Sequence, residues 1–229
     1  MEAIILAAGQ GKRISRKLKI NKCLLEIKKE TLIEKIIRDL KAVFTLDKIN
    51  IVVGHKQKLI KSKLKKQNIN YIFNKDYNKK EMLHSLYLGL KKIKKNVIIV
   101  YSDIYFSRKI FLKIKNNNFK NIILPVNSNW KKIWEKRKKN IFNDCETLKF
   151  DKNCFLTEIG NRIHNEKEVM GQYMGIIFIP KNEIKKIKKI YKNDFYDKKI
   201  HITSFLNKII RTKSKIKCLP CNTKWYEFD

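Results

Sequence analysis

The 229-residue sequence is poor in glycine (7) and proline (3), and it carries only 21 acidic side chains. So few glycines and prolines leave no linker-like stretch on which two units could hinge. No internal repeat or low-complexity tract appears either, so residues 1–229 read as a single domain able to bury one full core. No hydrophobic run is long enough to span a membrane: residues 1–8 are apolar but too short for that or for a signal-peptide core. The cysteine count is odd, with Cys23, Cys145, Cys154, Cys218 and Cys221, and no secretory signal precedes them. Reduced thiols in the cytoplasm are therefore expected. Cys218-Leu-Pro-Cys221 has the spacing of half a zinc site or a redox pair. A structural zinc needs a second such pair, and Cys145 and Cys154 are too far apart to form one.

Positive charge is abundant. There are 54 Lys+Arg, for a formal net charge of +33 and a pI near 10.0. Clustered cations bind polyanions, but these are scattered along the chain, mostly as lysines on the polar sides of helices such as 185–189. Only seven are arginine, and aromatic residues are not interleaved with them, so nucleic acid is not the expected partner. The positive field still favours anionic substrates.

Apolar strand-like runs alternate with amphipathic helical ones. Ala3–Ala8, Ile49–Val53, Tyr71–Phe73 and Val97–Tyr101 read as strands. Leu32-Ile33 with Ile36-Ile37 and Leu40 forms a helical stripe, as does Met82-Leu83 with Leu86-Tyr87 and Leu90. This βαβα order predicts a parallel sheet covered by helices on both faces. The second half is richer in strands, with 122–126, 146–150, 155–159, 173–179, 216–219 and 225–228 extended and two helices beginning near 181 and 202. The expectation is a three-layer α/β/α fold with a mixed, mostly parallel sheet and a small lid-like insertion in its second half.

The first strand runs into Leu6-Ala7-Ala8-Gly9-Gln10-Gly11-Lys12-Arg13. Gly9 and Gly11 let backbone N–H groups come close to an anion, and Lys12 and Arg13 add charge beside them. This is not a dinucleotide fingerprint: Ile14 occupies the third glycine position, and no acidic residue ends the second strand. It is not a P-loop either, because GxxxxGK[ST] is absent.

Strand, LAAGxGxR, spacer and Lys22 together resemble the nucleotidyltransferase family, which joins NTPs to phosphorylated small molecules through a Rossmann-like domain. In that family's pattern a proline precedes the lysine; here it is Asn21. The resemblance continues through Asn74-Lys75-Asp76-Tyr77, residues 82–86 and Tyr101-Ser102-Asp103. Trp130, Trp134, residues 143–147, 158–160 and 171–175, and the final Trp225–Asp229 then follow in the order of the branch acting on phosphocholine-like metabolites.

The resemblance implies a Mg²⁺-dependent cytidylyltransferase that moves CMP from CTP to a small phosphorylated acceptor and releases pyrophosphate. Leu6, Ala7, Ala8, Gly9, Gly11, Lys12 and Ser85 would bind the nucleotide. Arg13 and Lys22 would neutralise its phosphates, and Asp103 with Asp229 would hold the metal. Trp130, Glu146, Gln172 and Tyr173 would meet the acceptor, with Trp130, Trp134 and Tyr173 able to wall a cationic head group by cation–π attraction. Each of these also has a plain reading, as core packing or strand polarity. The expected partners are CTP and the acceptor, with a homodimer allowed and neither nucleic acid nor membrane involved. Two other readings stay open: a sugar-1-phosphate nucleotidylyltransferase using UTP or dTTP, and a basic nucleic-acid-binding module on an inactive nucleotide fold. Phosphocholine, phosphoethanolamine, a phosphonate and phosphoglutamine all suit the acceptor role.

Overall fold

A computed structural model describes residues 1–11, 20–137, 145–196 and 199–228, the side chains at 136 and 137 excepted. Lys12, Arg13, Asp144 and Asp229 lie outside the described residues. The chain starts with β1 (Glu2–Ala7), whose residues 3–7 are all buried. Such a run without polar alternation suits a central parallel strand covered on both faces. A 3-10 turn at Lys22–Leu24 leads to β2 (Glu26–Ile27) and β3 (Glu30–Thr31), a ribbon that turns on Lys28 and Lys29, both at positive φ. α1 (Leu32–Val43) opens with a capping box in which the Glu34 N–H donates to Thr31 Oγ1 and the Thr31 N–H to Glu34 Oε2. β4 (Lys48–Val53), α2 (Gln57–Lys63), β5 (Asn70–Phe73), α3 (Met82–Leu90) and β6 (Val97–Tyr101) complete the parallel half.

The rest of the chain comprises β7 (Ile104–Phe106), α4 (Lys109–Lys115), β8 (Ile122–Asn127) and α5 (Trp130–Arg137). The β9 (Glu146–Phe150) and β10 (Leu156–Arg162) hairpin follows, then β11 (Gln172–Tyr173), β12 (Ile176–Ile179), α6 (Lys181–Asp194), α7 (Ile202–Ile210), β13 (Ile216–Cys221) and β14 (Trp225–Glu227).

In the eight-stranded main sheet, β1 lies between β4 and β6, parallel to both, and β5 extends the β4 side in parallel. On the other side β12 runs antiparallel to β6 and to β8, while β13 runs parallel to β8. This is the mixed, mostly parallel sheet expected. Helices α1, α2 and α4 cover the face reached by Ala3, Ile5 and Ala7. Helices α3, α6 and α7 cover the face reached by Ile4 and Leu6. Burying each of these isoleucines contributes roughly 1.5–3 kcal/mol.

The sequence reads 173–179 as one strand, but the structure breaks it. Tyr173 pairs with Val126 and Phe178 with Ile123, five steps against three. The two extra residues form a bulge containing Gly175 at φ +72°, where a Cβ would lie 2.9 Å from the Tyr101 ring. The bulge thus tucks the chain against the end of β6. Cys218 faces one core and Cys221 the other, because residues three apart on a strand point to opposite sides.

Candidate active site

The carboxyl ends of β1 and β6 open between the two helical layers, where open α/β sheets place their ligands. Gly11 follows β1 at φ +56°, and a Cβ there would lie 3.0 Å from Lys22 Cγ. The bare backbone lets the Lys22 stem lie across the loop. A Cβ added at Gly9 would meet nothing within 4 Å, so the space beside it is open to a ligand. Asn21, standing where the resemblance expects proline, has φ −72°, within proline's fixed range. Its Nδ2 donates to the His55 carbonyl at 2.9 Å, so a hydrogen bond supplies the rigidity that a ring otherwise would.

Lys22 Nζ lies 3.6 Å from Asp103 Oδ2, with both side chains largely buried. Two residues distant in sequence therefore meet beside the glycine loop. β14 pairs antiparallel with β7, and the Phe228 N–H donates to the Asp103 carbonyl at 3.0 Å. The Trp225 indole, buried to 1 %, donates to the Met174 carbonyl and anchors this ribbon. Burial, and behind it the negative charge of Asp103, pushes the Cys23 thiol up to about 12.

Two cavities draw on the neighbouring elements, and neither Lys22 nor Asp103 is among their described lining residues. One of about 430 Å³ is lined by Leu6, Ala8, Gly9, Gly11 and Ser85, with Lys79, Lys80 and Lys199 also on its wall. Ser85 Oγ accepts from Asn74 Nδ2 at 2.9 Å, which ties the α3 side of this cavity to the segment after β5. Ala7 belongs to the opposite face of the sheet.

The second cavity, of about 210 Å³, is lined by Tyr101, Trp134, Glu146, Gln172, Tyr173 and Glu227 among others. Trp130 stays out of that lining, buried in a small cluster with Trp134, Cys145, Ile163 and Val169. The Tyr101 and Tyr173 rings meet edge to face at 5.6 Å. Burial raises both hydroxyls well above the ordinary tyrosine value, and the Glu227 charge acts on both in the same direction, so they stay protonated.

Sequence reasoning missed Glu227, Thr203, Tyr101 and the three lysines. Strand alternation before Asp229 was the available signal for Glu227. Among the described residues no cluster of three or more His, Cys, Asp or Glu could hold a metal, and no helix is long and apolar enough to cross a membrane.

The comparisons agree with this architecture. A MobA-like NTP transferase domain matches residues 3–130. The chain is 31% identical to the CTP:phosphoglutamine cytidylyltransferase of Campylobacter jejuni, over all of this chain and 96% of that protein. It superposes on the inositol-1-phosphate CTP transferase of T. maritima with a TM-score of 0.75 at 19% identity, covering 100% of this chain and 89% of the other. It also superposes on the CTP:phosphocholine cytidylyltransferase of Streptococcus pneumoniae with a TM-score of 0.73 at 20% identity, covering 99% and 92%. Likeness at such low identity speaks for the fold.

Proposed function

Because the chain belongs to the MobA-like NTP transferase family, we propose that it is a cytidylyltransferase moving CMP from CTP to a small phosphorylated metabolite. The observation that carries the reading is the Lys22–Asp103 pair, 3.6 Å apart beside the glycine loop. Gly11, packed on Lys22, lines one cavity; Tyr101, two residues before Asp103, lines the other. The glycine-loop cavity takes the nucleotide and the other takes the acceptor. That these walls draw on residues from 6 to 227 supports one domain over the whole chain.

The acceptor's phosphate oxygen attacks the α-phosphorus in line. The new P–O bond forms as the bond to the β-phosphate oxygen breaks, and pyrophosphate departs. Two anions must meet, so catalysis is alignment and charge neutralisation. Lys22 neutralises the α-phosphate, the backbone at Ala8, Gly9 and Gly11 admits the nucleotide, and Ser85 meets its base or ribose. Arg13 and Lys12 hold the departing phosphates. The acceptor phosphate is already ionised, so no general base is needed.

The donor set suits Mg²⁺. Asp103 is a hard oxygen ligand already facing a positive charge, and magnesium typically binds one or two carboxylates plus substrate phosphates. Asp103, with Asp229, would hold it. Bound there, the ion supplies charge neutralisation on the triphosphate. Five free cysteines support a reducing, cytoplasmic setting.

Pyrophosphate release with each NTP against a panel of acceptor phosphates tests the reading. CTP is the expected donor. Lys22→Met and Asp103→Asn should each lower kcat by roughly 10²–10³ while the circular dichroism spectrum stays native. Turnover of UTP with CTP inert would establish the sugar-nucleotide alternative instead.

A further inference from the structure

A third cavity, of about 460 Å³, is walled by the end of β8, the first turn of α5 and the turn joining β13 to β14. Among the described residues it shares only Glu227 with the second cavity and nothing with the first. The two loops that frame it are tied together. The Ser128 N–H donates to the Cys221 carbonyl at 2.9 Å, and Asn129 Nδ2 donates to Asn222 Oδ1 across the rim.

Two buried atoms of wall residues have no hydrogen-bond partner, Asn127 Nδ2 and Thr223 Oγ1. Asn127 is 0 % exposed, and its Oδ1 accepts from the N–H of Asn129, itself a wall residue. That bond fixes which end of the amide is oxygen, so the end left over is the donor. The Thr223 hydroxyl can donate as well. A buried donor without a partner calls for an acceptor in the space beside it.

Charge narrows the choice of acceptor. Lys132 and Lys224 stand on the same wall, and the first turn of α5, its positive dipole end, borders the same space. An ammonium group would meet two lysines and two donors. A neutral carbonyl would satisfy Asn127 but bring the lysines no counter-charge. An anionic oxygen answers both demands. Glu227 is the one acidic wall residue described, and its charge also acts on the Tyr101 and Tyr173 hydroxyls of the second cavity. The anion therefore belongs with Asn127 and the lysines, away from that carboxylate. Ile133, Trp225 and Tyr226 add apolar surface for the rest of a ligand.

We propose that this cavity is a further ligand site, for a small organic oxyanion: a carboxylate or phosphate group on an apolar or aromatic body. The oxyanion accepts from Asn127 Nδ2 and Thr223 Oγ1 beside the two lysines, and the body packs on Ile133, Trp225 and Tyr226. Its occupant rests on β14, the strand that also walls the second cavity through Glu227.

Calorimetric titration of the full chain, without CTP or metal, compares benzoate and phenyl phosphate with benzamide, an uncharged aromatic with an acceptor oxygen. At least one anion should bind with a Kd of about 1 mM or tighter, and about tenfold or more better than benzamide. Whichever anion binds better tells a carboxylate ligand from a phosphorylated one. Saturating CTP should leave that Kd unchanged, since the nucleotide cavity shares no described residue with this one. Asn127→Asp keeps the oxygen that Asn129 uses and turns the donor into a charged acceptor, so it should weaken the anion about tenfold or more. Lys132 and Lys224 are exposed, so Lys132→Met with Lys224→Met keeps the fold and should also cost about tenfold, even if the aspartate variant does not fold. Neither anion exceeding benzamide, displacement by CTP, or wild-type affinity in the double-lysine variant overturns the assignment. No turnover enters these titrations, so a failed transfer assay would leave their result standing.

Discussion

Replacing Gly11 and Gly9 in turn by alanine separates what the loop does for the fold from what it does for a ligand. At Gly11 the φ of +56° would put an alanine in the left-handed region, which costs roughly 1–2 kcal/mol. For a chain of this size that lowers Tm by about 2–8 °C. The added Cβ, 3.0 Å from Lys22 Cγ, also sits tighter than ordinary van der Waals contact. The lysine stem must give by a few tenths of an ångström, and its ammonium, farther out, moves relative to Asp103. A misplacement approaching 1 Å costs about 10² in rate, so kcat should fall roughly 10- to 100-fold. At Gly9 no atom lies within 4 Å and φ is not positive, so alanine should leave Tm within about 1 °C while raising KM for CTP. Thermal unfolding and steady-state kinetics on the two variants decide the matter. A Gly11→Ala enzyme with wild-type kcat, or a Gly9→Ala enzyme losing as much stability as Gly11→Ala, would refute this account of the loop.

Two further outcomes follow from buried titratable groups. Burial first, then the charge of Lys80, lowers the His84 pKa from its ordinary 6.5, with Asp76 opposing. The unfolded chain therefore takes up that proton before the folded one does. The stability contributed is fully present above about 6.5 and is lost as pH falls toward the folded value. Tm should drop between pH 7.5 and 5.5, and His84→Gln should remove part of that slope. His55, shifted the same way by burial and then Lys56, retains the rest; an unchanged slope in the variant would contradict this. Burial also pushes the Cys23 and Cys218 thiols up to about 12, so both stay protonated at pH 8. Brief iodoacetamide treatment followed by mass spectrometry should find Cys154, the one cysteine that is not buried, labelled first. Equal labelling of Cys218 in folded protein would count against the burial argument.

The parallel half of the sheet was legible because β1, β4 and β6 are buried on both faces and so write unbroken apolar runs. α4 and α5 were not read. α4 buries only Ile110, Phe111 and Ile114 in a lysine-rich stretch, and it is two turns long. The strand at 173–179 was drawn too straight, because a bulge is a matter of register and Gly175 alone does not announce it.

In the site, the glycine loop, Lys22 and Asp103 could be read from order and spacing, and they do meet. Trp130 could not be told from Trp134, since a helix of eight residues puts both on nearly one face and only packing decides which borders the cavity. Glu227 and Thr203 reach the cavity solely through topology. Lys79, Lys80 and Lys199 were hidden among 54 similar charges.

The pairing of β14 with β7 has a temporal side. A ribosome delivers the glycine loop, Lys22 and Asp103 long before it delivers residues 225–227, which flank Asp103 and close the second cavity. The nascent protein can settle its parallel half early, since β1, β4, β5 and β6 are complete by residue 101. Its second cavity is not closed until the strand carrying Glu227 emerges and docks. Both cavities therefore wait on the second half of the chain, the first for Lys199 and the second for Glu227.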